Sequence, residues 1–446
     1  MGRKDFIAGG DIDGALAVLL EGRLRDAAET SLHRAEDPPA VDAAAAVNAA
    51  LAAPTASAPL RTLAARRSSA AVVTSDATRA VPNRLLLPSV LDELATGGLA
   101  AEAITVVVGG GAHRPATPEE LRAMFGEEVL RRIRVVTHDA RHSDCVDMGM
   151  TPGGTHLRIN RIVAEADLRI ALGVVEPHEF AGFTGGRKAL LPGVAAYETI
   201  LGNHGAEVIA HERARPGSLI GNPVHEDLLA ALSLAPLDFI VNVALDRRLR
   251  PTAVAAGDPE AAHDELAAFV RSTAAVEVAG APDLIVTGPG APLDMNLYQA
   301  LKALFAVEPI AGPETVVALA AGCGDGLGSD EMLQPFDGAA GPEEAYARAV
   351  AAYTIEKDHS CLLARFLARC PNVIACCPGV ADADLRRLWF TPAESLEAAV
   401  EEAVGRARRL SRRARPTALL LPRPQRALFT VAPPSPSSSA LPEANA

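Results

Sequence analysis

The stretch AITVVVGGGAHRPATPEELRAMFGEEVLRRIRVVTH, residues 103–138, decides the fold. It opens on a β-branched run, breaks at three glycines, continues with helical spacing and closes on a second β-branched run. Strand, helix and strand in that order form the repeating unit of a parallel α/β sheet. The helix start carries its own signals. Thr117 and Glu120 form a capping box, and Pro118 falls at the first helical position.

The same alternation extends outward in both directions. Short apolar runs, each bounded by polar residues or Gly/Pro, recur at 70–75 (AAVVTS), 167–175 (DLRIALGVV), 238–245 (DFIVNVAL) and 283–288 (DLIVTG). Three more follow at 315–322 (TVVALAAG), 372–379 (NVIACCPG) and 417–422 (TALLLP). Residues 11–67 are Ala-rich with helical periodicity and read as helices on the outside of a domain. A chain of 446 residues exceeds what one hydrophobic core usually holds. The small-residue stretch VAGAPD (278–283) is the natural joint. The expectation is therefore an α/β protein of two domains with mostly parallel sheets, spanning 1–278 and 279–432. The Pro/Ser-rich tail 433–446 is expected to be disordered.

Composition excludes some classes. Lys and Arg number 42 against 55 Asp and Glu, a net charge of −13. Without a long basic run, nucleic acid and anionic membrane surfaces are poor partners. No apolar run reaches the ~18 residues of a membrane span. The six cysteines (145, 323, 361, 370, 376 and 377) contain no C-x-x-C pair, and no secretory signal precedes them. They read as reduced, mostly buried thiols of a cytoplasmic protein.

Polar residues capable of chemistry collect just past the strand ends. AVVTS runs into Asp76, Ala77, Thr78 and Arg79, ITVVV into GGGAHRP with His113, and IALGVV into Glu176-Pro177-His178. Ligands of open α/β sheets bind outside the carboxyl ends of the strands, so these groups converge on one crevice. His113 and His178, each directly after a different strand, suit a general base and a general acid on opposite sides of one substrate. The segment PHEFAGFTGGRK (177–188) adds Lys188 in a glycine-rich loop, open to a phosphate or a covalent link. His204, in ETILGNHGAEV, can cap a helix C-terminus or ligate a metal, although no multi-histidine zinc spacing accompanies it. Gln299 and Lys302 share one face of the helix begun by DMNLYQALK, where an amide and a cation can hold a carboxylate. Neither G-x-G-x-x-G nor G-K-[ST] is present.

Five segments together resemble the lactate racemase family: SDATRAVP (75–82), GGGAHRPATPEEL (109–121), PHEFAGFTGGRKALLPG (177–193), GNH (202–204) and DMNLYQALKA (294–303). They occur in the family's order with similar spacing, and the resemblance runs from about residue 50 to about residue 420. It implies two α/β domains with an active-site cleft between them. It also implies a nickel-pincer nucleotide, a nicotinic-acid-derived mononucleotide whose sulfur arms and ring carbon grip nickel. Lys188 would tether this cofactor covalently, and His204 would be the protein ligand to the metal. Sulfur, carbon and imidazole donors in a plane suit Ni(II). His113 and His178 would be catalytic. Asp76, Ala77, Thr78 and Arg79 would meet the cofactor, while Arg79, Gln299 and Lys302 would bind the substrate. The implied reaction is racemisation or epimerisation of a 2-hydroxy acid through a 2-keto acid, the hydride passing to and from the cofactor. Implied partners are that small substrate and the enzymes that build the cofactor.

The segment also departs from the family pattern. Gly111-Ala112 stand before the first histidine where a small-Thr pair is usual, Thr184 replaces a common serine, and Arg187 stands where smaller residues are frequent. The aromatic residue that lactate-specific members set against the substrate has no evident counterpart, since Trp389 in RRLWFTP comes too late. An oxidoreductase or lyase acting on hydroxy or keto acids, or a non-catalytic cofactor-binding protein, would use the same cleft.

Overall fold

A computed structural model describes residues 12–21, 23–33 and 37–432. The expected tail 433–446 lies outside the described residues. Two six-stranded sheets organise the chain. The first runs, in spatial order, Pro251–Gly257, Phe239–Leu245, Leu168–Val174, Ala70–Ser75, Ile104–Gly109, Arg134–Thr137. Every neighbouring pair is parallel except the edge strand Pro251–Gly257, which runs antiparallel to Phe239–Leu245. The strand order reverses at Ala70–Ser75 and Leu168–Val174, the two strands that feed Asp76 and His178 into the crevice.

The second sheet is parallel throughout, in the order Glu29–Leu32, Thr417–Pro422, Leu284–Gly288, Val316–Ala320, Asn372–Cys376, Thr391–Pro392. Central strands such as Val72-Val73 and Leu284-Ile285-Val286 are buried on both faces. That is why the sequence shows them as continuous apolar runs rather than alternating ones.

The start of the chain corrects the assignment of residues 1–278 to the first domain. Glu29–Leu32 pairs with Thr417–Pro422 of the second sheet. Ile12, Leu16 and Leu24 pack with Leu284, Val286 and Leu420 in that sheet's core. A four-residue strand reading ETSL is too short and too polar to announce itself. At the other end of the first domain, Ala275–Val278 pairs in parallel with Leu428–Val431, so both chain crossings between domains meet in one small ribbon.

The helix predicted from 117 forms as Pro118–Arg132 with its capping box intact. It is broken at Gly126, where φ is 77° and a second helical segment begins at a new angle. No helix among the described residues is long and apolar enough to cross a membrane.

Leu16 is fully buried against the second sheet. Leu16→Ala should lower the free energy of unfolding by about 2–5 kcal/mol. An unchanged denaturant midpoint would mean that the N-terminal segment is not part of that domain's core.

Candidate active site

The loops at the carboxyl ends of both sheets line a single cleft of about 790 Å3. All the residues singled out from sequence open onto it: Asp76, Ala77, Thr78, Arg79, His113, His178, Lys188, His204, Gln299 and Lys302.

The first strand ends in a turn closed by its own carboxylate. Asp76 Oδ1 accepts from the Thr78 backbone N–H at 3.1 Å and its hydroxyl at 2.6 Å. Asp76 Oδ2 lies 2.8 Å from His113 Nδ1. Burial pushes the Asp76 carboxyl up, but His113, Thr78 and Arg79 outweigh it and hold it below the ordinary carboxylate range. With Nδ1–H donated to Asp76, the neutral ring presents Nε2 as an acceptor. Gln299 of the second domain meets it there at 3.3 Å. Gly110 is required alongside: a Cβ at that position would lie 3.0 Å from Asp76 Oδ2 and press on the carboxylate that orients His113.

PHEFAGF folds as a tight hairpin, Pro177–His178 pairing antiparallel with Gly182–Phe183. His178 is 4% exposed, and Phe180 stands edge-on between the rings of His178 and His204, at 4.7 and 5.0 Å. Burial, reinforced by Lys188, Arg79 and Lys302, pulls the His178 imidazole far below its ordinary range, so it is neutral at pH 7.

Glu179, passed over in the sequence, proves central. Its carboxylate lies 3.3 Å from His178 Nδ1 and 3.3 Å from Lys302 Nζ, joining the two domains across the cleft. Burial alone would raise it, yet His178, Lys302 and Arg79 keep it well below the usual carboxylate range. Arg79 sits 3.8 Å from Glu176, which Arg426 approaches from the second domain at 4.0 Å.

The glycines of the next turn let the chain double back. Gly185 has φ of 80°, and a Cβ there would meet Val175 Cγ2 at 2.9 Å and the Val174 carbonyl oxygen at 3.1 Å. Thr184 keeps a hydroxyl at the departure from serine, donating to the Val174 carbonyl at 2.6 Å. Arg187 does not enter the cleft. It is 1% exposed behind the loop, donating to the carbonyls of Ala181 and Phe183 and lying 2.5 Å from His263 Nε2.

Lys188 faces the cleft from the turn Gly186–Ala189 with no hydrogen bond to its Nζ among the described residues. Burial, opposed by Glu179 but reinforced by Arg79, lowers its ammonium to about 7. His204 caps the helix Tyr197–Asn203, as the sequence suggested. Burial and Lys188 lower its imidazole to about 3. Its Nδ1 is buried without a partner, and Tyr353 of the second domain donates to its backbone carbonyl. A permanently neutral imidazole beside an amine close to half neutral fits a metal ligand and a covalent tether better than an anion-binding pair.

The second domain contributes Gln299 and Lys302, 2% and 6% exposed, on consecutive short helices capped by Asn296. The aromatic residue missing from the sequence reading is Tyr298, which lines the cleft, whereas Trp389 packs on Phe336 away from it. Asp358 and His359 also line the cleft. Nothing in IEKDHS announces them, because a charged pair at a helix start is most often a solvated cap.

A depressed lysine has a measurable signature. Above pH 7 the Lys188 amine is neutral and nucleophilic, and below it the amine is protonated and inert. Acylation of Lys188 followed by peptide mass spectrometry should rise with a midpoint near pH 7. A midpoint near the ordinary 10.5 would contradict the buried setting.

Residues 21–217 match the family described as lactate racemase N-terminal domain, and residues 276–413 match lactate racemase C-terminal domain. The lactate racemase of Thermoanaerobacterium thermosaccharolyticum is 38% identical over 286 residues, covering 64% of this chain and 67% of that protein. The lactate racemase of Lactiplantibacillus plantarum is 37% identical over 292 residues, 65% of this chain and 69% of that protein. The structure of the T. thermosaccharolyticum lactate racemase apoprotein superposes with a TM-score of 0.81 at 31% identity, covering 92% of this chain and 97% of that one. A Thermotoga maritima protein shares the fold at a TM-score of 0.68 and 15% identity, over 90% of this chain and 100% of that one. With both of its domains matched and these relatives on record, the chain belongs to the lactate racemase family.

Proposed function

We propose that this protein is a racemase or epimerase of a 2-hydroxy acid, working with a nickel-pincer nucleotide tethered at Lys188. The observation that carries the reading is the pairing of two differently held histidines, His113 and His178, with a low-pKa lysine and a neutral His204 in one cleft.

The residues fit the group. Lys188 supplies a nucleophilic amine at neutral pH, His204 supplies a neutral imidazole for nickel, and the Asp76–Arg79 turn lies on the same wall for the nucleotide. When bound, the cofactor supplies the acceptor and donor for the C2 hydride.

The protein's own residues then hold the substrate and move protons. Arg79 and Lys302 attract the substrate carboxylate, and Gln299 fixes its neighbouring oxygen. Glu179 limits the positive charge of Lys302 and holds the Nδ1 side of His178, leaving Nε2 of that ring for the substrate hydroxyl. Neutral His178 removes the hydroxyl proton of one enantiomer as C2 is oxidised to the keto acid. After the keto acid turns, His113 returns a proton to its oxygen on the other face. The Asp76 carboxylate stabilises His113 in its protonated form. In the reverse direction the two histidines exchange roles.

Intact-mass measurement on protein co-expressed with the cofactor-making enzymes tests the tether. A single adduct should appear on the wild type and be absent from Lys188→Ala. His113→Ala and His178→Ala should keep the adduct and lose racemisation by about 10²- to 10⁴-fold. An adduct that persists in Lys188→Ala, or racemisation that survives both histidine changes, would refute the reading.

A further inference from the structure

The second domain's wall of the cleft holds groups that the proton transfers leave unused. Helix Asp358–Arg369 begins there, with Asp358 3% and His359 1% exposed. His359 Nδ1 lies 2.6 Å from Asp358 Oδ1, and the Tyr298 hydroxyl donates to the same oxygen at 2.7 Å. The His359 ring stacks on Tyr298 with centroids 3.7 Å apart and receives Phe305 at 5.2 Å. These contacts fix the ring's orientation and place its Nδ1 proton on Asp358. Nε2 is then a lone-pair acceptor.

Nε2 of His359 is buried and has no hydrogen-bond partner among the described residues. Gln299 Oε1 on the same wall is a second such acceptor, because the amide nitrogen is turned to His113. Buried acceptors are nearly always paired, so two on one cleft wall call for a donor from the ligand.

The charges narrow the choice. Glu179 already pairs with Lys302, and Asp76 with His113, leaving Arg79 and Lys302 enough positive charge for one carboxylate. A second carboxylate on the substrate would face Asp358 and a lone pair, which repel it. A methyl group would leave both acceptors unpaired, whereas a hydroxyl would donate to either.

We infer, resting on the racemase reading, that the substrate is a polyhydroxy monocarboxylate. It would be a 2-hydroxy acid with further hydroxyls at C3 or beyond, donating to His359 Nε2 and Gln299 Oε1.

The test is a chiral assay of cofactor-charged enzyme with glycerate, gluconate, lactate and malate. A polyhydroxy acid should exceed lactate and malate in kcat/KM by at least about tenfold, since sites built to bond a hydroxyl reject analogues lacking it. His359→Phe keeps the stack on Tyr298 without the acceptor and should shrink that preference about tenfold, and His359→Gln should restore part of it. Lactate or malate handled as well as the polyhydroxy acids, or a preference untouched by His359→Phe, would overturn the inference while leaving the racemase reading in place. If none of the four is racemised, the racemase reading fails, and calorimetry of the same acids on loaded protein decides the rest. Gluconate bound no more tightly than lactate would then overturn the inference too.

Discussion

The ion pair between Glu179 and Lys302, 3.3 Å long and nearly out of reach of water, is the constraint around which this molecule is arranged. Charges leave water only when paired and hydrogen-bonded. Glu179 comes from the first domain's hairpin, Lys302 from the second domain's helices, and His178 shares the same carboxylate. The two sheets must therefore present their carboxyl ends to each other, and the loops between strands and helices must close over the same point. The topology places the reversal of strand order in the first sheet at the strands that deliver Asp76 and His178.

Burial of that cluster also sets its reactivity. A lysine in water is a cation at pH 7 and a poor nucleophile. Lys188, surrounded by protein and other cations, sits at about 7. His204 sits at about 3 and keeps a lone pair at any physiological pH. His113 and His178 differ in how they are held, one by a buried aspartate and the other by a carboxylate shared with a lysine. Two imidazoles in unlike settings suit unlike proton-transfer roles.

Much of this was legible in the sequence, for a physical reason. Parallel strands buried on both faces appear as β-branched runs, and every run identified became a strand of one of the two sheets. The elements that escaped lack such burial. The edge strand Pro251–Gly257 is rich in small residues, the hairpin of Cys145–Met150 with His156–Asn160 is largely open to water, and Glu29–Leu32 is short and polar. Among site residues, those next to strand ends were visible because position and chemistry coincide there. Glu179 was hidden beside a more conspicuous histidine. Tyr298, Asp358 and His359 meet only through folding, 60 residues separating the tyrosine from the aspartate.

The fate of the C2 hydrogen tests the central reading most directly. A single enantiomer of an accepted 2-hydroxy acid, deuterated at C2, is incubated with cofactor-charged enzyme, and both enantiomers are analysed by chiral separation and mass spectrometry. Proton-coupled hydride transfer within one closed cleft returns most of the deuterium to C2 of the opposite enantiomer. Loss of the label to solvent, or accumulation of keto acid in place of the opposite enantiomer, would contradict it.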